Sequence, residues 1–302
     1  MSANEPQLLA NCWTHSGDVD PSPGAHGHRA WSAWRIESRA ENLSKVGFDA
    51  IGLHHEDLIH VLDVEFADEG DREAALERLN TVFTDNGIDT VELELLTEWV
   101  HEEGDPRREQ EQEIRELLLL ASDILDARHV KIGNFSGYNI PTEQLKGAFD
   151  DIARDFEETN TAVGFELSPA DLNVATLADA LAIVEKADNG GLFLDLWHMV
   201  KLGISYEDIG YLDADDITAI EFSDGYVDTE MGFIEETINL RKIPGEGEFE
   251  IQEFIDAVRS TGFDGPWGLE ILSEEYRRLS MNDAYSRAYE GGAQYLRHLS
   301  TM

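Results

Sequence analysis

The chain has 302 residues, 42% of them hydrophobic, which is ample for one large core. Lys and Arg total 22 against 63 Asp and Glu, a formal net charge of −41, and no basic cluster exists, so nucleic acid and anionic membrane surfaces are disfavoured as partners. A single cysteine, Cys12, excludes a disulfide framework and a thiolate metal site. Acidity spread along the whole chain reads as a surface adapted to concentrated salt: at about 1 M ionic strength the screening length is roughly 3 Å, and such charges repel little. The opening MSANEPQ lacks a charged region followed by an apolar one, and no segment nears 18 uninterrupted apolar residues. A soluble cytoplasmic protein is the expectation.

In chain order, a first apolar run, QLLANCWTHSGD (7–18), is followed by a loop carrying His15, His26 and His28, read as a lid or solvent loop. A helix is predicted from Trp31 to Lys45, then a strand in VGFDAIGLHH (46–55), where His54 or His55 should face a common mouth. A helix over 72–83 leads to NGIDTVELELL (86–96), with Trp99 and His101 following it. A helix over 107–125 leads to DARHVKIGNF (126–135), which carries Lys131 inside the strand. Helices over 142–158 and 176–186 flank TAVGFELSP (161–169), and GGLFLDLWH (190–198), DDITAIEFSDG (215–225) and GFDGPWGLEIL (262–272) follow. A helix over 251–260 precedes the last strand, and 274–299 reads as a closing amphipathic helix.

Eight strand-then-helix units at spacings of roughly 26 to 45 residues are the rhythm of parallel βαβ units. Eight such units close as a (β/α)₈ TIM barrel, a single domain over 1–302, since no linker divides the repeats. A doubly wound open sheet is the alternative, but no G-x-G-x-x-G follows the first strand.

Strands five to eight each carry a carboxylate near the C-terminal end: Glu166, Asp195, Glu221 and Glu270. Catalytic groups of a barrel gather at that rim. Four carboxylates aimed at one volume cannot all ionise without a cation, and the sequence shows no nearby Lys/Arg set to supply one. A divalent metal is the economical answer, with an all-oxygen set favouring Mn²⁺ or Mg²⁺. Any surplus negative charge should be relieved by a protonated carboxyl or by Lys131 or His198. His198, three residues beyond Asp195, should face the same mouth.

FELSP, DLWH, FSDG, LRKIPGEGEF and GPWGLEIL, in this order, resemble the xylose-isomerase-like TIM-barrel superfamily over nearly the whole chain. That group includes sugar phosphate isomerases and epimerases, inosose dehydratases, 3-dehydroshikimate dehydratases and, more distantly, endonuclease IV. The resemblance implies metal ligation by Glu166, Asp195 and Glu270, with Glu221 standing where the family commonly has His. It also implies substrate contact from Arg241 in the R-x-x-P-G-x-G loop that holds Glu246, and aromatic walls where Trp99 follows strand three. His198, Glu246 and His55 are further candidates for substrate contact, and Lys131 either contacts substrate or pairs with the acidic cluster or core-edge carboxylates. The expected activity is metal-dependent isomerisation or epimerisation of a small sugar or polyhydroxylated carbonyl compound. Glu166 and Glu270 would exchange protons across a metal-stabilised enediolate while His198 holds a substrate oxygen. A dehydratase is the alternative. An endonuclease-IV-like phosphodiesterase is remote, since the chain lacks the several His ligands and the basic groove. The expected partner is a small molecule, and homo-oligomer formation is compatible with the sequence.

Overall fold

In the computed structural model, which describes residues 6–19, 21 and 30–297, eight parallel strands close into one barrel in sequence order. They are β1 (Leu8–Ala10), β2 (Ala50–His54), β3 (Thr90–Leu96), β4 (His129–Gly133), β5 (Ala162–Glu166), β6 (Gly190–Asp195), β7 (Ile217–Phe222) and β8 (Trp267–Leu269). All eight lie within the runs expected from the sequence, and β1 closes the ring on β8 by pairing Leu9 with Gly268.

Helix boundaries follow local chemistry. The helix Leu177–Val184 starts where Thr176 accepts from the Asp179 amide and Asp179 reciprocates, a capping box. The helix Pro106–Leu125 begins with proline in its first turn behind the Asp105 cap. Three expectations shift. The first long helix is Ile36–Val46, not starting at Trp31. The closing helix is Met281–Arg297, because 274–280 forms a turn around Tyr276–Arg278. His15 belongs to no lid. It ends a short buried helix, Cys12–His15, where its Nε2 bonds the Gly52 carbonyl at 2.7 Å and Arg39 lies 3.3 Å from Nδ1. Arg39 in turn pairs with Asp57 at 2.6 Å, fully buried. His26 and His28 lie outside the described residues.

Alternation along the strands sorts the side chains into two populations. One set, including Ile51, Leu53, Leu93, Val130, Ile132, Val163, Phe165, Ile220 and Phe222, joins the helices in a continuous apolar core. The other set converges inside the barrel and is polar: Asn11, Glu92, Glu94, His129, Lys131 and Glu221 are all buried and linked by hydrogen bonds. Glycine makes the room. A Cβ at Gly268 would meet Glu221 Cγ at 2.7 Å, and one at Gly52 would meet Glu92 Oε1 at 2.7 Å. No helix among the described residues is long and apolar enough to cross a membrane.

Candidate active site

The C-terminal mouth of the barrel holds a cavity of about 310 Å³. Its floor is Glu94, Lys131, Glu166, His198, Arg241 and Glu270; its walls include Trp13, Leu95, Phe135, Phe233, Ile238 and Leu272. Glu166 and Asp195 are the last residues of β5 and β6, and Glu270 directly follows β8. Glu221 sits deeper, since it pairs with Gly268, two residues below Glu270. One oxygen from each of Glu166, Asp195, Glu221 and Glu270 falls within 4.8 Å of the others, so the four could hold a metal ion; Glu166, Asp195 and His198 form an overlapping group of the same kind.

The expectation that no Lys/Arg set serves these carboxylates is corrected. Lys131 crosses the barrel interior from β4. Its Nζ lies 2.8 Å from Glu94, 2.7 Å from Glu221, 2.8 Å from Glu270 and 3.7 Å from Glu166. Arg241 Nη1 bridges Asp195 and Glu270, at 2.7 Å from each. Relief by Lys131 was expected, although 90 residues divide it from Glu221; the Arg241 pair with Asp195, 46 residues apart, was not.

A divalent ion is therefore tested by asking which oxygens are uncommitted. Glu221 takes Asn11 at 2.6 Å on one oxygen and Lys131 on the other. Glu270 takes Lys131 on Oε1 and Arg241 on Oε2. Asp195 takes the Trp197 amide at 2.9 Å on Oδ1, as a helix cap, and Arg241 on Oδ2. Glu166 alone has no donor within hydrogen-bond distance. In this arrangement the four carboxylates do not fit a central divalent ion, because protein cations already hold the shared volume.

Five carboxyl groups (Glu94, Glu166, Asp195, Glu221 and Glu270) still face two cations. Protonation relieves the surplus. Burial pushes Glu94 up to about 7 and Glu166 up to about 8, against the opposing pull of Lys131. Burial and Glu270 together push Glu221 well up. For Glu270, burial is outweighed by Lys131 and Arg241, which hold its carboxyl at about 2. His198 gives no relief: burial and Arg241 keep its imidazole neutral, down to about 3. Its Nδ1 is buried without a partner, and its Nε2 lies 3.8 Å from Glu166.

Other assignments move. Trp99 is buried against Phe165 and donates to the Gly133 carbonyl at 2.8 Å, so it is core and not a substrate wall. His101 pairs with Glu98 and bonds Tyr138 beside a separate groove. His55 receives the Leu95 amide and stacks on His54, off the cavity lining, while His54 packs against Trp13. Glu246 is exposed and pairs with Arg287 at 2.7 Å, away from the cavity. The wall residues Trp13, Phe135 and Phe233 were missed. So was Glu94, although acids two apart in VELELL were a signal for one shared face.

The PGEGEF loop is held from β7. Asp224, buried three residues past Glu221, accepts the amides of Gly225 and Phe249 on Oδ1 at 2.8 and 3.0 Å. Its Oδ2 accepts those of Gly245 and Gly247, both at 2.9 Å. Paired backbone bonds between Asp224 and Lys242 complete the clamp, next to Arg241. Gly247 is required by contact: a Cβ there would lie 2.3 Å from Asp224 Oδ1.

Comparison with known proteins follows this geometry. The profile described as xylose isomerase-like TIM barrel matches residues 40–299. A 3-dehydroshikimate dehydratase of Pseudomonas aeruginosa is 29% identical over 117 residues, 38% of this chain and 18% of that protein. An inosose isomerase of Halalkalibacterium halodurans is 30% identical over 117 residues, 38% of this chain and 40% of that protein. The chain thus matches less than half the length of either relative. A solved structure of the IOLI protein with a bound zinc atom is 18% identical, covers 98% of this chain and 100% of its own, and has a TM-score of 0.76. An L-ribulose 3-epimerase is 16% identical, with 97% and 95% coverage and a TM-score of 0.67. At these identities the two structures speak to the fold alone.

Proposed function

Because the chain belongs to the xylose isomerase-like TIM barrel family, we propose that it is an isomerase or epimerase of a small sugar or other polyhydroxylated carbonyl compound. The observation that carries the reading is Glu166, a carboxyl without a fixed donor, facing a closed-floored cavity beside two buried cations. A cavity of about 310 Å³ is at the small end of ligand pockets, which run roughly 300–1,000 Å³. That suits a monosaccharide or cyclitol.

In isomerisation Glu166 takes the proton from the carbon next to the substrate carbonyl and returns it to the former carbonyl carbon, while the hydroxyl proton passes to the former carbonyl oxygen. Epimerisation needs the same carbon reprotonated from its other face by a second acid. Its carboxyl is pushed up to about 8, near working pH, where one group can both accept and deliver a proton. The enediolate that forms is negative, and Arg241 and Lys131 supply the opposing charge. Arg241 uses Nη1 for Asp195 and Glu270, which leaves its other guanidinium nitrogen to donate to a substrate oxygen. Neutral His198, in the cavity lining, holds a substrate hydroxyl. Glu270, locked by two cations, is a poor base and acts as a positioning residue for both of them.

Dehydration shares this first step and differs in expelling a hydroxyl from the next carbon; the 3-dehydroshikimate dehydratase relatives favour keeping it as the second reading. A course assisted by Mn²⁺ or Mg²⁺ is supported by the closeness of the four carboxylates and opposed by the commitment of their oxygens. Sugars, inososes and cyclic keto acids should be screened in deuterated water, with and without Mn²⁺, by product mass. Deuterium gain at unchanged formula supports isomerisation and loss of water supports the dehydratase. No exchange with any substrate class would overturn proton transfer.

A further inference from the structure

We propose that the Lys131 ammonium is the resident cation of this barrel: it occupies the place between the carboxylates that a divalent ion would need, so the folded chain holds no such ion there and accepts one only when Lys131 is shortened. The ammonium donates to Glu221 and Glu270 at 2.7 and 2.8 Å and forms an ion pair with Glu94 at 2.8 Å. Lys131 is 1% exposed, and the Phe193 ring lies 4.8 Å from its Nζ. The three carboxylates come from β3, β7 and the end of β8, so the ammonium ties together strands from across the ring.

A metal ion bound by the same carboxylates would lie within a few ångströms of this buried ammonium, where like charges are strongly unfavourable. It would also have to displace Arg241 from Asp195 and Glu270. The arrangement is a closed one. Asn11 fills the remaining Glu221 oxygen at 2.6 Å, and the Trp197 amide fills the remaining Asp195 oxygen at 2.9 Å. With the ammonium removed, Glu94, Glu166, Glu221 and Glu270 lose their shared counter-ion, and the vacated space adjoins carboxylate oxygens able to take a hard cation.

The test measures metal content and melting, not turnover, so it stands apart from the proposed reaction. The full chain is purified from medium supplemented with Mn²⁺ and Zn²⁺, dialysed in molar KCl and assayed for bound metal by mass spectrometry. Wild type should carry substoichiometric metal, and its melting temperature should not respond to EDTA or to added Mn²⁺ or Zn²⁺. Lys131→Ala should melt lower than wild type and be raised by added Mn²⁺ or Zn²⁺. Wild type with one equivalent of metal and a melting temperature lowered by EDTA would overturn the proposal, and so would a folded Lys131→Ala that binds no metal. Should Lys131→Ala not fold, the wild-type metal content decides alone.

Discussion

The clamp at Asp224 gives the sharpest test of how the loop beside Arg241 is held. Asp224→Asn keeps the size of the side chain and one acceptor oxygen. Placed to serve Gly225 and Phe249, that oxygen retains two bonds now made at 2.8 and 3.0 Å, but as neutral ones. The new amide NH₂ then faces the amides of Gly245 and Gly247, donor against donor, where two bonds of 2.9 Å stood. Each amide that loses its acceptor costs about 1–3 kcal/mol, and exposure of both glycines to water places them near the lower figure. Weakening the other two bonds from charge-assisted to neutral adds about 1 kcal/mol in total, giving about 3 kcal/mol. For a chain of this size about 2 °C of melting temperature follows each kcal/mol, so a drop of about 6 °C is expected. Calorimetry in molar KCl measures it, and limited proteolysis should show new cleavage over 242–249. A drop under about 2 °C with an unchanged digest would refute the clamp.

Glu166→Gln should leave the fold intact and lower turnover by about 10²–10⁴-fold, while Glu270→Gln should chiefly lower the melting temperature; equal turnover in Glu166→Gln and wild type would remove Glu166 from the chemistry. Turnover at low substrate should rise with pH as the Glu166 carboxyl ionises at about 8; a profile flat from pH 6.5 to 9 would contradict its role as base. Stability should run the other way. Glu94 and Glu166 keep protons in the folded chain up to about 7 and about 8 but ionise near 4.5 when unfolded. Their contribution is therefore complete below pH 4.5 and lost as pH rises through those two values. Above about pH 7.5 histidines are largely neutral in both states, so the melting temperature at fixed salt should fall between about pH 7.5 and 9; a rise would refute the shifts. If the net charge of −41 is a salt adaptation, moving from molar KCl to about 0.1 M should lengthen the screening distance to roughly 10 Å and destabilise the chain. An unchanged melting temperature would remove that reading.

Barrel and rim were legible because they rest on local rules. Eight apolar runs bounded by Gly, Asp and Asn mark strands wherever they fall, and a carboxylate at the end of a strand reaches the rim whatever its neighbours are. Glu166, Asp195 and Glu270 were placed at the mouth in this way, His198 by its spacing from Asp195, and Arg241 only by the resemblance of its loop. Pairing across the ring obeys no local rule. Lys131 meets Glu221 across 90 residues, and Glu94 meets the same ammonium only because β3 and β4 are adjacent and their side chains alternate inward. Trp99 follows β3 as a wall residue would, yet the turn after the strand aims its indole at the Gly133 carbonyl and into the core. Sequence thus placed the strand-end carboxylates Glu166, Asp195 and Glu270 at one mouth, since strand order decides that, but not Glu94 of β3. Tertiary structure decided what neutralises them, since a buried charge is answered by whichever cation the closed ring brings within about 3 Å, not by one nearby in the chain.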